Sequence, residues 1–236
     1  MKAIAVREIQ SYFNTMIGYV FMGICMLVCG VFFAANNIIG GSASFGAVIG
    51  SISYVLILTI PLLTMRSFAE EKKNKSDQLL LTAPVSTASI VLGKYFSAMF
   101  TLGATLLATV VFPVIISVFG KPYIGEIVVG YCGVVLLGSS FIAIGLFISA
   151  ISENQLTAAV ATIGILLFLW LFDSVLPQVA NPGLNTILSA LSLYSKLATF
   201  QIGILSAAAV VYFCALTFVF LFITSKVTEK RRWGKS

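Results

Sequence analysis

The sequence predicts an all-α membrane protein with six transmembrane helices, an N-terminal amphipathic helix in the membrane interface, and a short re-entrant or interfacial helix before the last span. Six apolar runs lack Lys, Arg, Asp and Glu, and each has about the 20 residues that cross a bilayer core. Only 9% of the 236 residues are charged, against about 25% in soluble domains. Because no other segment is long enough to bury its own core, residues 1–236 form a single membrane domain. The runs are residues 16–35, 45–65, 95–119, 127–151, 154–172 and 202–225.

Residues 1–15 show an amphipathic pattern with helical periodicity. Tyr12 and Phe13 belong to the apolar face, whereas Arg7 and Glu8 belong to the polar face. Such a helix can lie in the plane of the interface with its apolar side in the acyl boundary. A plain juxtamembrane flank is the alternative. The first span has full length and lacks a cleavage pattern, so we expect it to remain attached as a signal anchor.

The basic residues are distributed unequally between the two sides. With six crossings, both termini share a side with the loops that follow the second and fourth spans. That side holds 12 of the 14 basic residues, and only Lys121 and Lys196 fall on the other. The positive-inside rule therefore predicts cytoplasmic termini in a plasma membrane, such as the bacterial inner membrane. Contact of this side with anionic lipid explains the net charge of +6, so nucleic acid need not be invoked.

Residues 66–94 form the long cytoplasmic loop. Its charged run, residues 70–75, predicts a solvated face with internal ion pairs. A short helix follows, capped by Ser76 or Asp77 and ending near Pro84, and Ser86 or Thr87 caps the helix of the third span. Bare leucines outside the membrane indicate docking to a soluble partner, and a helix resting on lipid head groups is the alternative. The leucines are Leu79, Leu80 and Leu81.

The outer segment, residues 174–201, is interrupted by Pro177 and by Pro182–Gly183. Residues 184–193 between these breaks and the last span predict a helix too short to cross the membrane, with an ordinary outer loop as the alternative. Gly46 and Gly50 form a stripe of small residues entering the second span. Such a stripe allows close helix packing, either within one chain or between two copies.

The chain offers little catalytic chemistry. It has no histidine, which excludes His-dependent triads and the commonest zinc sites. Cys25 and Cys29 share a helical face, but without further ligands they are interpreted as small apolar residues, and no metal site is predicted. The Gly-Lys-Ser at residues 234–236 lacks the upstream glycine of a phosphate loop. Glu126 and Asp173 lie only at outer ends, which disfavours coupling to an ion gradient.

Four blocks of residues in order resemble the type-2 ABC transporter permeases, particularly the gliding-motility branch. Together they extend over nearly the whole chain. The first block is residues 7–8 and 11–14 with Ile17, Tyr19 and Val20, and the second is residues 66–72, 79–82, 84–86 and 92–94. The third is Ser149 with residues 153–155 and 158–159, and the fourth is residues 194–195, 203–205 and 231–233 with Phe200 and Tyr212.

The resemblance implies the membrane subunit of an ATP-driven exporter, not itself an enzyme. It would work with a second permease subunit, a pair of separate ATPase subunits that bind ATP and Mg²⁺, and an auxiliary membrane or extracytoplasmic subunit. A non-transport membrane scaffold or a membrane-embedded enzyme is the alternative. The apolar, aromatic and hydroxyl side chains of the spans would suit lipids, amphiphiles or apolar peptides. Residues implied to contact the ATPase are Glu70, Glu71, Asp77, Leu79, Leu80, Leu81, Pro84, Glu153 and Asn154.

Overall fold

The structure is a computed structural model that describes residues 2–42, 44–73, 86–120, 123–175 and 192–233. Six helical segments of these ranges are long and apolar enough to cross a membrane, which confirms the predicted all-α architecture with six spans. The helices are α1 (Lys2–Asn14), α2 (Ile17–Phe33, continued by a π-helical turn, Ala34–Ile39), α3 (Gly46–Lys73), α4 (Thr87–Thr109), α5 (Val111–Phe119), α6 (Ile124–Ile151), α7 (Gln155–Val175), α8 (Leu193–Gln201) and α9 (Ala207–Trp233).

Helices α6 and α3 form the centre of the bundle. Helix α6 contacts α3, α4, α7, α8 and α9, and its Leu137 and Phe141 are fully buried. Apolar burial gives little driving force between helices in lipid, so close backbone approach has to supply the packing energy. Gly133 of α6 shows such an approach, because a Cβ there would lie 2.6 Å from the Cβ of Phe200. Gly133 therefore allows α6 and α8 to pack closely.

The third span consists of α4 and α5, separated by a turn at Val110. Pro113 lies one turn further on and has no N–H to donate to the carbonyl of Thr109, which favours the break. The span begins at Thr87, where the Ser86 hydroxyl accepts a hydrogen bond of 3.3 Å from the Ser89 N–H. This confirms the predicted cap. The apolar run predicted from residue 95 continues this helix, and the charged Lys94 before the run lies inside α4 and is fully buried.

A short helix, α8, does precede the last span, but nine residues reach only about 14 Å. It covers Leu193–Gln201, whereas most of the predicted helix at 184–193 lies outside the described residues. Gly203 follows α8 with a φ of +78°, a conformation that favours glycine. The resulting turn delays the last span to Ala207, so the predicted start at residue 202 is wrong.

Helix α1 occupies the predicted N-terminal residues and packs on α4 and α2. Its contact with α4 is close, because a Cβ at Gly93 would lie 3.0 Å from Cγ2 of Ile4. The Tyr12 hydroxyl donates a hydrogen bond of 3.0 Å to the Leu63 carbonyl on α3. Met16, with a φ of 61°, joins α1 to α2 in the left-handed region. The apolar face of α1 therefore lies partly against protein.

Candidate functional site

Polar contacts bring both ends of the chain together at one end of the bundle. The Arg7 guanidinium lies 3.3 Å from a Glu71 carboxylate oxygen, which joins α1 to the end of α3. Lys72 on α3 donates to the Ser152 carbonyl between α6 and α7, at 2.7 Å. Arg231 on α9 donates to the Ile151 carbonyl, at 3.3 Å. This end, here called the basic end, therefore unites the segments that the sequence assigns to one side of the membrane.

A buried ion-pair network joins three helices at the basic end. The Lys94 ammonium on α4 is fully buried and lies 2.8 Å from Oε1 of Glu71 and 3.2 Å from Oε1 of Glu8. It also donates to the Ser67 carbonyl, at 2.5 Å. Arg7 contacts both carboxylates, so the four charges balance. A buried ammonium needs such compensation, because unpaired burial of a charge costs several kcal/mol.

The described part of the charged run after the second span, residues 70–73, is therefore not the solvated face that the sequence predicts. Residues up to Lys73 continue α3, and the Glu71 side chain keeps only 18% of its exposure. Of the residues of this run that the structure describes, only Lys73 is exposed. The physical reason is that Glu71 has counter-charges on α1 and α4 and Lys72 donates to carbonyls at the end of α6, so the end of α3 packs against protein rather than water.

Helix α3 is also fastened to the C-terminal end of α6. The Ser149 hydroxyl accepts from the N–H groups of Phe68 and Ala69, at 3.1 and 3.2 Å. Lys72 donates to the carbonyls of Ser149 and Ala150 as well as to that of Ser152. These carbonyls lack partners within α6, and a cation near them also complements the helix dipole. The end of α3 therefore has a fixed position relative to α6.

The predicted partner-contact residues are distributed unevenly over this end. Glu70 forms an ion pair with Arg66 one turn earlier, at 2.5 Å. Glu71 belongs to the buried network and holds helices together rather than facing outward. Glu153 and Asn154 are exposed in the turn between α6 and α7, open to a partner. The remaining predicted contacts, Asp77, Leu79, Leu80, Leu81 and Pro84, lie outside the described residues.

The predicted residues of α1 divide between two environments. Arg7 keeps 58% of its side-chain exposure, whereas Glu8 keeps 13%, so Glu8 does not belong to a solvated face as predicted. Phe13 contacts Tyr19 edge to face, with ring centroids 5.5 Å apart. Burial raises the pKa of the Tyr12 phenol, and the nearby Glu8 carboxylate raises it further. Tyr12 is therefore a neutral donor to α3.

The opposite end of the bundle holds the predicted packing glycines. The Gly46 N–H donates to Oε1 of Glu126, at 2.7 Å, and the Ser44 hydroxyl donates to the same oxygen, also at 2.7 Å. A Cβ at Gly46 would lie 2.8 Å from the Gln201 carbonyl oxygen, and one at Gly50 would lie 3.2 Å from its amide nitrogen. Both glycines therefore lie against α8 of their own chain.

Sequence reasoning did not identify Lys94, Lys72, Ser149 or Glu126 as contact residues. In the sequence, Lys94 and Lys72 count as loop charges that set the orientation and as members of the blocks that resemble the permease family. One signal was available: Lys94 follows directly after an apolar stretch, residues 90–93, which a solvated loop would not need.

The described residues contain no group of three or more His, Cys, Asp and Glu side chains that could hold a metal ion. Cys25 and Cys29 are both buried, and the Cys25 sulfur lies 3.7 Å from the Thr59 hydroxyl oxygen.

Comparison with known proteins adds independent information. The profile of the family described as "ABC-2 family transporter protein" matches residues 20–229. The chain is also similar to the "Probable multidrug ABC transporter permease YbhR" of Escherichia coli strain K12, with 29% identity over 118 residues. The same similarity holds for the protein of that name from Escherichia coli O157:H7. The aligned segment covers 50% of this chain and 31% of each relative.

Proposed function

The chain belongs to the ABC-2 family of transporter proteins, and from that premise we propose that it is the permease subunit of an ATP-driven ABC exporter. It spans only about a third of the length of the curated relatives. The proposal for this chain therefore depends on its own residues as well as on membership of the family. Its six spans supply the path, and ATP and Mg²⁺ bind to separate subunits. We include the gliding-motility branch in the proposal because of the four matching sequence blocks.

The observation that carries the proposal is the network of Arg7, Glu8, Glu71 and Lys94. In the sequence, residues 74–85 connect the end of α3, which carries Glu71, to the start of α4, which carries Lys94. A partner that pushes on this loop would act on α1, α3 and α4 together, because buried ion pairs join them. Contacts of α3 with Ser149 then pass the displacement to α6. This is the arrangement that coupling of ATP hydrolysis to movement of the spans requires.

We assign the docking contact itself to Leu79 and Leu80, with Glu153 and Asn154 adding polar contacts from the neighbouring turn. Apolar anchors buried at an interface each contribute on the order of 2 kcal/mol, whereas exposed rim charges contribute much less. Glu70 and Glu71 position the loop rather than touch the partner, since both form ion pairs within the chain.

The basic end faces the cytoplasm in this proposal. The sequence assigns 12 of the 14 basic residues to this side of the membrane, and the positive-inside rule places such a side in the cytoplasm. The energy source is then accessible, because ATP is cytoplasmic. A second permease copy or a related subunit, a pair of ABC ATPase subunits and an auxiliary subunit complete the assembly. The relatives' name includes multidrug transport, and an apolar or amphiphilic substrate fits the spans of this chain.

The test is co-expression with the cognate ABC ATPase, followed by measurement of co-purification and of substrate-stimulated ATP hydrolysis in lipid nanodiscs. We expect Leu80→Asp to detach or uncouple the ATPase while the permease stays folded, because the loop lies between spans. The matched control is Lys73→Ala, which changes an exposed side chain at the end of α3, directly before this loop, and should do far less. Normal coupling of Leu80→Asp would refute the assignment of this loop.

A further inference from the structure

A polar cleft opens at the end of the bundle opposite the basic end. Its volume is about 590 Å³, within the range of small-molecule sites. It lies where the start of α3, the start of α6 and the end of α8 meet. Among the residues that line it are Gly46, Gly50, Ser51, Tyr54, Glu126 and Gln201. The cleft therefore combines a carboxylate, an aromatic ring and a helix end.

Among the described residues, hydrogen bonds reach only one of the two oxygens of the Glu126 carboxylate, so the other is open to a ligand. Both of its hydrogen bonds, from Ser44 and from Gly46, end on Oε1. Within the described ranges, no Lys or Arg forms an ion pair with Glu126. The Lys196 ammonium lies instead over the ring of Tyr212, 4.6 Å from its centroid. The carboxylate is thus held in position while its charge lacks a described counter-ion.

Tyr54 supplies an aromatic wall with a fixed orientation. Its ring lies edge-on to Trp170, with centroids 5.9 Å apart, and stacks on Tyr194 at 6.1 Å. Tyr54 remains 50% exposed, so part of the ring is accessible. A cation over a tyrosine face is attracted by the ring quadrupole. Burial raises the pKa of Tyr194, so the ring behind Tyr54 is neutral.

The end of α8 contributes a negative dipole end to the floor of the cleft, whereas the positive start of α3 is already compensated by the Glu126 carboxylate, which accepts from the Gly46 N–H. Gln201 is the last residue of α8, and a Cβ at Gly46 would lie 2.8 Å from its carbonyl oxygen. Carbonyls at a helix C-terminus carry the negative end of the dipole. Leu58, one turn after Tyr54 on α3, is 57% exposed and continues the Tyr54 face toward the bilayer centre. A polar head and an apolar tail therefore meet different parts of one surface.

We infer that this cleft binds the head group of a cationic amphiphile, with its ammonium between the open oxygen of Glu126 and the face of Tyr54 and its alkyl chain along Leu58. An anionic head group would be repelled by the carboxylate and by the end of α8. A neutral head group would gain no electrostatic attraction from the carboxylate or from the end of α8. A role of this cleft as a binding site along the export path rests on the proposed function, but the binding itself does not.

The test measures binding to the full-length permease in lipid nanodiscs, without ATPase. Trp233→Phe leaves Trp170 as the single tryptophan, next to Tyr54, so its fluorescence reports occupancy. We expect decyltrimethylammonium to change this fluorescence saturably and decyl sulfate to produce only unsaturable change from partition into lipid. Glu126→Gln keeps an acceptor for Ser44 and Gly46 and should weaken decyltrimethylammonium binding about tenfold. The control Glu229→Gln, an exposed carboxylate of α9 at the basic end, should leave the affinity unchanged.

A second pair of variants guards against misfolding of Glu126→Gln. Tyr54→Leu should weaken binding of the cation, and Tyr54→Phe should restore it, because phenylalanine keeps the ring face without the hydroxyl. Equal saturable binding of both probes, or unchanged affinity in either Glu126→Gln or Tyr54→Leu, would overturn the inference. Lost ATPase stimulation with selective cation binding retained would instead count against the proposed function.

Discussion

Replacing Lys94 by methionine tests the buried network directly. Methionine keeps most of the volume of the side chain but removes the ammonium, so Glu8 and Glu71 face each other with only Arg7 to balance them. The ammonium lies 2.8 Å and 3.2 Å from the two carboxylates. At an effective dielectric constant of about 20, each contact supplies about 5–6 kcal/mol of gross Coulomb energy. Desolvation of the buried charges cancels part of this gain.

The net loss in the free energy of unfolding depends on which charges remain buried without a partner. Removing one partner of a buried pair costs about 3–5 kcal/mol, because the other partner stays buried without compensation. We expect a decrease of this size in the free energy of unfolding of Lys94→Met. Adding Glu71→Gln restores the charge balance between Arg7 and Glu8, so the double variant should recover part of the loss. Substrate-stimulated ATP hydrolysis should fall in Lys94→Met, because α4 loses its ionic contacts with α1 and α3.

The measurement is unfolding of the purified permease in mixed micelles with increasing denaturing detergent. Lys226→Met is the matched control, since Lys226 is 61% exposed and pairs with Glu229 one turn later. Such a surface pair contributes about 0.3–0.5 kcal/mol. The reasoning would be refuted if Lys94→Met were no less stable than Lys226→Met. It would also be refuted if the double variant were less stable than Lys94→Met alone.

Two further predictions concern packing and topology. Gly133→Ala should destabilise the permease by about 1–3 kcal/mol, because the new methyl group meets Phe200. The control Gly103→Ala has open space around it and should be neutral or slightly stabilising. Equal unfolding curves for the two variants would contradict the packing argument. In a cysteine-free background, Ser42→Cys should react with a membrane-impermeant thiol reagent from outside intact cells and Lys73→Cys only after lysis. Labelling of both from the same side would exclude the proposed orientation.

The six spans could be predicted because each is an uninterrupted apolar run, and the cost of placing charge in lipid makes such runs unambiguous. The ends were less predictable. An unpaired charge marks the end of a span, and Lys94 was interpreted in that way. Its counter-charges are far away in the sequence, since Glu8 precedes it by 86 residues. Only the packing of α1 on α4 shows that Lys94 is compensated inside the protein.

The contacts at the end of the bundle opposite the basic end were equally hard to predict from the sequence. Ser44 and Glu126 are separated by 82 residues, and no periodic pattern connects them. In contrast, Arg66 and Glu70 are four residues apart on one helix, a spacing that predicts their ion pair directly. Ion pairs within one helix can therefore be predicted from their spacing in the sequence, whereas contacts between helices depend on which faces meet in the bundle.

The position of Lys94 in the chain has a consequence for biosynthesis. Both of its carboxylate partners, Glu8 and Glu71, are translated before it, and domains form from the N-terminal side during synthesis. When the third span leaves the ribosome, the carboxylates are already present at the same membrane surface. The ammonium therefore has counter-charges available at the time of its insertion. We expect a circularly permuted chain that begins at α4 to insert this span with lower efficiency, since Lys94 would then meet the bilayer before either carboxylate exists.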